Sequence, residues 1–349
     1  MRSLKYFAGF TIPLFALLAL LQPSYFAFLP LIYAFVIIPV AEQFFSGSPE
    51  NIPDNLEKSL LSDKSYDYLL YLSLPVQWSI IILFAFLVHQ YEHTTLQLIG
   101  MTLAVGICSG TIGINVAHEL GHRITYYEQF MAKGLLLSSL YMHFYVEHNR
   151  GHHRYVATLE DPATARLNES VYFFIIRSFI GSYKSAWKIQ MELNKKNNTS
   201  FFSFDNEMFW FQVIQVFVVA AFYYFFGSLA GSLFVGSAII GFTLLEVINY
   251  IEHYGLLRKE LSNGQYEKVK PLHSWNSDKT IGRLMLFELT RHADHHYKAS
   301  KKYQILNHHD DSPELPFGYP AMMLCSLVPS LFFKIMNPRI PKEQLALAA

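Results

Sequence analysis

The stretch that decides the fold is residues 96–122, which read LQLIGMTLAVGICSGTIGINVAHELGH. An apolar run from Leu96 to Val116 leads directly into His118 and His122. A helix rises about 1.5 Å per residue, so this run is long enough to cross a hydrocarbon layer of roughly 30 Å. Histidines at positions i and i+4 share one face of a helix. The stretch therefore predicts a membrane helix that ends in a metal-binding histidine pair.

The composition of the whole chain is typical of a polytopic membrane protein. Of its 349 residues, 52% are apolar and only 15% are charged, whereas a soluble domain carries about 25% charged residues. The formal net charge is zero, which predicts no binding to nucleic acid. Cys108 and Cys325 lie in separate apolar runs and form no CxxC pair. These features predict an all-α membrane protein without a thiolate metal site.

Six apolar runs have the length of a membrane span. The predicted spans are residues 6–21, 25–45, 68–88, 96–116, 211–226 and 228–249, within a single integral membrane domain of residues 1–349. The first run has no small-x-small cleavage site and a second run follows at once, which predicts a retained helix rather than a signal peptide. Residues 130–144 are predicted to form a buried or interfacial helix. Residues 320–336, interrupted by Pro329, are predicted to lie against the membrane face.

Lysine and arginine are confined to one side of this arrangement. Neither residue occurs in the intervals 6–57, 65–122 and 197–257, which contain every loop predicted to face the opposite side. Basic residues flanking membrane spans favour the cytoplasmic side. The polar regions 117–210 and 250–349, which contain all of the histidine motifs, are therefore predicted to face the cytoplasm.

Nine of the fifteen histidines lie in four short motifs at or just past the ends of apolar runs. These candidate metal ligands are His118, His122, His148, His152, His153, His253, His292, His295 and His296. In the first, second and fourth motifs the spacing predicts that the histidines of one motif share a face. So many imidazoles exceed the capacity of one tetrahedral zinc ion and predict two ions of higher coordination. Imidazole favours iron, copper or zinc, and a histidine shell with open positions suits iron that binds oxygen.

Carboxylates beside the histidines are candidates to orient the ligand rings. Ligating histidines usually donate their second ring N–H to a carboxylate or a carbonyl. The candidates are Glu119, Glu147, Glu246, Glu252 and Asp294, with Asp161, Asp310 and Asp311 as further options. Glu246 shares a helical stripe with His253, and a carboxylate within an apolar span indicates a functional role. For each carboxylate, an ion pair with a nearby arginine is the alternative.

The motifs resemble the histidine boxes of the membrane fatty acid desaturase and hydroxylase superfamily of non-haem di-iron enzymes. More narrowly, they resemble the membrane alkane 1-monooxygenases. The likeness rests on His118-Glu119-Leu120-Gly121-His122-Arg123, Glu147-His148-Asn149-Arg150-Gly151-His152-His153, Asn249-Tyr250-Ile251-Glu252-His253-Tyr254-Gly255-Leu256 and Leu289-Thr290-Arg291-His292-Ala293-Asp294-His295-His296. The motif that contains His253 distinguishes this branch from the desaturases. Arg123 and Thr290 stand where Lys and Gln are common in the family, but neither is a ligand position.

The resemblance implies two non-haem iron ions held by the nine histidines, in a six-span protein of the bacterial inner membrane whose active site faces the cytoplasm. It implies that one atom of O2 enters the terminal methyl group of an alkane and that the other leaves as water. Electrons would come from a rubredoxin, which an NAD(P)H-dependent rubredoxin reductase keeps reduced. Two isolated cysteines cannot form a rubredoxin site, so this donor is expected to be a separate protein. An apolar tunnel between membrane helices would admit alkane from the lipid.

Three other functions were weighed against alkane hydroxylation. A fatty acyl desaturase or hydroxylase would use the same metal site. A zinc protease matches the HExxH pattern of the first motif, with Glu119 as general base, but needs one further ligand rather than seven more histidines. A metal transporter would place its ligands near the middle of the spans, whereas these histidines lie at their ends.

Overall fold

A computed structural model describes residues 2–45 and 47–348, and Met1, Ser46 and Ala349 lie outside the described part. The main helices in chain order are α1 (Arg2–Leu21), α2 (Pro23–Ala41), α3 (Asp54–Ser62), α4 (Ser65–Gln90), α5 (Thr95–Gly121), α6 (Tyr126–Leu137), α7 (Val171–Asn197), α8 (Glu207–His253), α9 (Thr280–Met285), α10 (Tyr319–Ser326) and α11 (Pro329–Met336). Apart from two isolated β-bridges, all regular structure in the described residues is helical. The prediction of an all-α protein is confirmed.

Five helices of the described part, namely α1, α2, α4, α5 and α8, are long and apolar enough to cross a membrane. They correspond to the predicted spans, although α2 ends at Ala41, before the predicted limit at residue 45. The apolar segment 130–144 is not one helix, because the chain turns at Leu140, whose φ is 50°. Segment 320–336 divides at Pro329 into α10 and α11, as predicted.

Helix α8 contains two helices that meet at Gly227. This residue has φ 80° and ψ 173°, a conformation that glycine adopts without steric cost. The rings of Phe222 and Phe234 stack with their centroids 4.1 Å apart, whereas a continuous helix would separate these positions by about 18 Å. The chain therefore reverses at Gly227, between the predicted spans 211–226 and 228–249.

Three π-helical turns interrupt the regular helices. They cover Tyr33–Ile37 within α2, Ser109–Ile114 within α5 and His148–His152 in the polar region. Such turns are rare and frequently mark functional sites. The second precedes the first histidine motif, and the third coincides with the second motif.

The polar segments fold back over the helix ends that carry the histidines. Arg291, which is only 1% exposed, donates to the backbone carbonyls of Leu306 at 2.8 Å and Glu50 at 2.9 Å. These bonds fix the loop that precedes His292. Trp275 similarly donates from its indole nitrogen to the carbonyl of Tyr254 at 2.9 Å, which holds this loop beside the end of α8.

Candidate metal centre

The nine predicted histidines come together in two adjoining clusters. The first cluster contains His118, His122, His148, His153 and His295, and the second contains His152, His253, His292 and His296. Within each cluster, one ring nitrogen of every residue lies within 4.8 Å of all the others. The rings of His153 and His296 are 4.6 Å apart between centroids, so the two clusters touch.

The Nε2 atoms converge at spacings that suit a shared metal ion. In the first cluster, Nε2 of His153 lies 3.0 Å from that of His148 and 3.2 Å from that of His295. In the second, Nε2 of His292 lies 3.1 Å from that of His253. Metal–imidazole bonds of about 2.1 Å at right angles would place neighbouring nitrogens about 3.0 Å apart, against about 3.4 Å for tetrahedral angles. The donor sets therefore fit ions of more than four-fold coordination.

The clusters do not coincide with the sequence motifs, which corrects the expectation that each motif forms one face. His148 and His153 belong to the first cluster, whereas His152 points to the second, where its Nε2 lies 3.2 Å from that of His296. The cause is the π-turn His148–His152, in which hydrogen bonds join residues five apart rather than four. The fourth motif is divided too, because His295 belongs to the first cluster.

Burial favours the neutral, metal-binding form of most cluster histidines; the exception is His152, whose pKa is raised because the Asp161 carboxylate outweighs the effect of burial. Only His122 and His153 are partly exposed among the nine. Burial, with a contribution from His152, lowers the pKa of His122 to about 3. Burial and neighbouring imidazoles also lower the pKa values of His148, His153, His292, His295 and His296 well below the usual value. Neutral imidazoles at neutral pH need not lose a proton before they bind a metal ion.

Asp161 is the carboxylate that orients the ring of a cluster histidine, His152. The Nδ1–H of His152 donates to Asp161 Oδ2 at 2.9 Å, which directs Nε2 into the second cluster. Asp161 also accepts hydrogen bonds from the hydroxyl of Thr164 at 2.6 Å and the amide of Ala163 at 3.0 Å. The sequence indicates Asp161 less strongly than the carboxylates next to a histidine, because it lies nine positions after His152.

The five carboxylates that the sequence favoured behave differently from one another. Glu119 pairs with Arg123 at 2.7 Å, and Asp294 pairs with Lys301 at 2.6 Å, so both carboxylates bond to cations instead of to ligand rings. The reason is geometric, because a residue next to a ligand on a helix points to a different face.

The other three favoured carboxylates accept hydrogen bonds from hydroxyl groups. Glu252 Oε1 accepts from the hydroxyl of Tyr319 at 2.8 Å, and its Oε2 lies 3.3 Å from Nε2 of His292. Glu246 accepts from the hydroxyl of Tyr141 at 2.6 Å, and Glu147 accepts from Ser185 at 3.3 Å. All three side chains are buried.

Four buried carboxylates around the clusters lack a cationic side chain as partner. They are Glu147, Asp161, Glu246 and Glu252, and none forms an ion pair with lysine or arginine within the described residues. A buried charge without compensation is costly. Bound cations would favour the ionised form of these four carboxyl groups and compensate their charge.

Two small adjoining cavities lie between the apolar helices and the clusters. The cavity next to the metal ligands measures about 30 Å³ and is lined by His118, His148 and His292, together with Asn249, Glu252 and Phe144. A second cavity of about 70 Å³ extends between α1, α2, α5, α8 and α10. Gly110, Ile248, Leu286 and Tyr319 line both cavities. The two cavities therefore adjoin between the apolar helices and the histidines, and together they are called the passage below.

Tyr319 is a residue of this site that the histidine motifs do not predict. Tyr319 contacts Glu252 and lines both parts of the passage. Its only signal in the sequence is that the segment Leu315-Pro316-Phe317-Gly318-Tyr319 resembles the alkane 1-monooxygenases, as the four histidine motifs do. The six remaining histidines, including His89, His93 and His143, belong to neither cluster.

Comparison with known proteins gives one consistent result. Residues 93–324 match the fatty acid desaturase family. The chain is 38% identical over 312 residues to alkane 1-monooxygenase 1 of Alcanivorax borkumensis, which covers 89% of this chain and 77% of that protein. It is 36% identical over 304 residues to alkane 1-monooxygenase of Pseudomonas putida, covering 87% of this chain and 75% of the relative. Alkane 1-monooxygenase 1 of Pseudomonas aeruginosa is 38% identical over 326 residues, covering 91% and 84%.

Proposed function

The chain belongs to the fatty acid desaturase family and, within it, to the alkane 1-monooxygenases, and we propose that it hydroxylates the terminal methyl group of alkanes at two iron ions held by its nine clustered histidines. One atom of O2 would enter the alkane and the other would leave as water, which takes up two protons and two electrons that rubredoxin delivers one at a time. A rubredoxin reductase that uses NAD(P)H keeps this carrier reduced. The observation that carries the proposal is the apolar passage that ends at the two histidine clusters.

Charge balance supports two divalent ions. Nine neutral imidazoles contribute no charge, so two such ions would leave four positive charges in a buried site. The four buried carboxylates without lysine or arginine partners would compensate these charges if all are ionised. A set of imidazole ligands with open positions suits iron, and bound iron would supply the capacity to activate O2 and oxidise a strong C–H bond.

The residues of the passage would bind and align the alkane. An alkane has no polar group, so its recognition depends on shape and on apolar burial. Phe144 stacks on the ring of His148 at 4.6 Å between centroids and lines the end of the passage. Leu286 and Leu289 line the same end. Together these side chains would exclude water and bring the terminal carbon of the chain towards the clusters.

Glu252 is the polar group best placed to act beside the reacting carbon. Its Oε1 accepts the Tyr319 hydroxyl, which leaves Oε2 beside His292 and next to the passage. The carboxylate at this position, ionised in the charge balance above, could take up and release a proton at Oε2 close to where oxygen would be reduced. Tyr319 would act as a positioning residue because it fixes the orientation of this carboxyl group.

The membrane arrangement is part of the same proposal. Six spans, counted by dividing α8 at Gly227, would hold both termini and all four motifs on the cytoplasmic side of a bacterial inner membrane. The distribution of lysine and arginine supports this orientation. Regions 117–210 and 250–349 would then form the cytoplasmic catalytic part of one integral membrane domain.

Product analysis tests the proposal directly. Membranes that contain the chain are supplied with rubredoxin, its reductase, NADH and alkanes of graded length, and 1-alkanols are the expected products. Metal analysis of the purified protein should find about two iron ions per chain. Oxidation of fatty acyl chains without any alkanol would favour the desaturase or acyl hydroxylase alternative. Zinc without iron would contradict the hydroxylase and favour the zinc protease.

A further inference from the structure

A separate cavity of about 650 Å³ opens beside the start of α1. Its walls come from the beginning of α1, from the segment 48–60, and from α9 with the residues that follow it. No histidine of the two clusters lines this cavity. It lies at the helix ends that carry the histidine motifs, because Tyr6 on its wall donates to Glu288, four residues before His292.

The cavity carries a small excess of positive charge. Its lining contains the cations Arg2, Lys5 and Arg283 and the carboxylates Glu50 and Glu288. Glu288 is already satisfied, because it accepts from Arg283 Nε at 2.6 Å and from Tyr6 at 2.7 Å. Lys5 lies 3.6 Å from Glu288 with its side chain 49% exposed, and Arg2 forms no ion pair within the described residues. The three cations and two carboxylates leave one net positive charge in the cavity lining. This charge would balance the single negative charge of a phosphodiester group.

A buried polar atom on the wall lacks a donor. Gln304 is only 2% exposed, and its Nε2 donates to the carbonyl of Leu60 at 3.4 Å. This bond uses the amide nitrogen of Gln304, whereas its amide oxygen, Oε1, has no hydrogen-bond partner. A buried acceptor without a donor is costly. A ligand that offers a hydroxyl group would satisfy Oε1.

The surroundings of the cavity are apolar and adjoin the expected lipid. Ile52, Leu56 and Leu284 contribute apolar side chains to the lining. In the first two turns of α1, next to Arg2 and Lys5 in sequence but outside the cavity lining, Leu4 is 54% exposed and Phe7 is 46% exposed. Because α1 is one of the helices able to cross a membrane, its terminal basic residues would lie at the level of the lipid headgroups.

We infer that this cavity binds the headgroup of an anionic phospholipid, with the phosphate at Arg2 and Lys5 and a headgroup hydroxyl at Gln304. Basic cavities between membrane helices on the cytoplasmic side are suited to such headgroups. A soluble phosphate ester offers the same anion, but it has no acyl chain to cover Leu4 and Phe7. The lipid is therefore the occupant that satisfies both the charge and the apolar surface.

The bound headgroup would stabilise the wall that leads to the fourth histidine motif. The carbonyl of Glu288 accepts from the amide of Arg291 at 2.9 Å, and His292 follows directly in sequence. Phe287 and Glu288 both have positive φ, at 52° and 57°, which non-glycine residues rarely adopt. Contacts from a lipid to the Arg283–Glu288 pair would help to hold this strained segment in place.

The test compares lipid composition in nanodiscs. The purified protein is placed in phosphatidylcholine alone or with added phosphatidylglycerol, which carries one negative charge and headgroup hydroxyls. Thermal unfolding midpoints and lipid retained in native mass spectrometry are measured. We expect phosphatidylglycerol to raise the midpoint and to be retained. An equal midpoint in both lipids without retained phosphatidylglycerol would overturn the inference.

Variants of the lining residues test whether the stabilisation by phosphatidylglycerol arises at this cavity. The double variant Arg2→Gln/Lys5→Gln should abolish the response to phosphatidylglycerol, and Glu50→Gln, which removes the opposing charge, should increase it. Lys58→Gln is the matched control, because Lys58 is exposed on the neighbouring α3 but does not line the cavity. If the double variant keeps the full response, the site lies elsewhere. If glycerol 1-phosphate stabilises the protein in phosphatidylcholine as well as phosphatidylglycerol does, the cavity binds a soluble phosphate ester instead of lipid.

Discussion

The Nε2 atoms of His148 and His153 lie 3.0 Å apart, although the two residues are five positions apart in sequence. On an α-helix the fourth neighbour, His152, would share the face of His148 instead. In the π-turn, His153 instead of His152 shares the face of His148. One short motif therefore contributes histidines to both clusters. This turn therefore helps to set how the two clusters lie relative to each other, together with the divided fourth motif.

Alanine variants should distinguish the two clusters. His153→Ala removes one of five ligands and His292→Ala removes one of four. We expect both variants to lose hydroxylation through loss of metal, with less iron left in His292→Ala because its cluster has fewer ligands in reserve. Iron content and alkanol formation are measured together. His89→Ala, outside both clusters, should keep both, and normal iron and activity in either cluster variant would contradict the ligand assignment.

Gly151→Ala should disturb the π-turn itself. A Cβ atom at Gly151 would lie 2.5 Å from Glu147 Oε1 and 3.1 Å from Ile189, so one of these neighbours must move. We expect reduced iron content in a protein that still folds, measured by metal analysis beside thermal unfolding. Gly236→Ala is the control, because a Cβ there meets only Thr102 at an ordinary 3.6 Å. Full iron content in Gly151→Ala would mean that the turn tolerates the added methyl group.

The spans could be predicted because each depends on local composition. The apolar run in α5 and the reversal at Gly227 follow from length and from a single glycine. The π-turns could not be predicted, because Ser109–Ile114 and His148–His152 contain residues that an α-helix also accepts. Their hydrogen-bond register follows from packing against other helices, which the sequence of the turn does not reveal.

In the histidine site too, local spacing could be predicted from the sequence, whereas contacts between distant segments could not. The spacing of the histidines identified all nine members of the clusters, because ligands of one ion must lie close together. Their division between clusters and the partners of the carboxylates depend on contacts between distant segments. Asp294, for example, pairs with Lys301, while Asp161 reaches His152 through a turn of the intervening chain. Adjacency in sequence therefore indicated the wrong partner for Asp294.

Gly227→Ala should destabilise the protein without affecting the site. With φ 80° and ψ 173°, Gly227 occupies a region that is almost restricted to glycine. The nearest atom to an added Cβ is His89 Nδ1 at 3.8 Å, so the cost comes from the backbone alone. We expect a loss of about 1–3 kcal/mol in the free energy of unfolding, seen as a lower thermal midpoint. Gly236→Ala should not lower the midpoint, and an unchanged midpoint in Gly227→Ala would contradict the strained turn.

Asp161→Asn should weaken metal binding in the second cluster. The substitution keeps the size of the side chain but removes the charge that orients the ring of His152. Loss of such a partner typically lowers metal affinity by about 10–100-fold. Competition with a chelator measures the effect as faster loss of part of the iron. Glu160→Gln, a change of charge at the exposed neighbouring residue, should resist the chelator like the unmodified protein.

Ile107→Phe should shorten the longest alkane that the enzyme accepts. Ile107 is 2% exposed and lines only the part of the passage away from the histidines, about 16 Å along α5 from His118. A larger side chain there would fill the far end of the passage and leave the end beside the clusters unchanged. Alkanol yields are measured across alkanes of graded length, together with iron content. Short alkanes should be hydroxylated as before while longer ones are lost.

The control for the passage is Ile99→Phe on the same helix. Ile99 is 48% exposed and does not line the passage, so the same change there should alter neither iron content nor alkane preference. Overpacking a buried position typically costs about 1–3 kcal/mol, which a thermal midpoint would reveal for Ile107→Phe. If Ile107→Phe lowers the yield equally for all alkane lengths, the passage does not hold the alkane chain. A loss confined to long alkanes, with iron retained, can be explained only by an alkane chain that extends from the clusters past Gly110 towards Ile107.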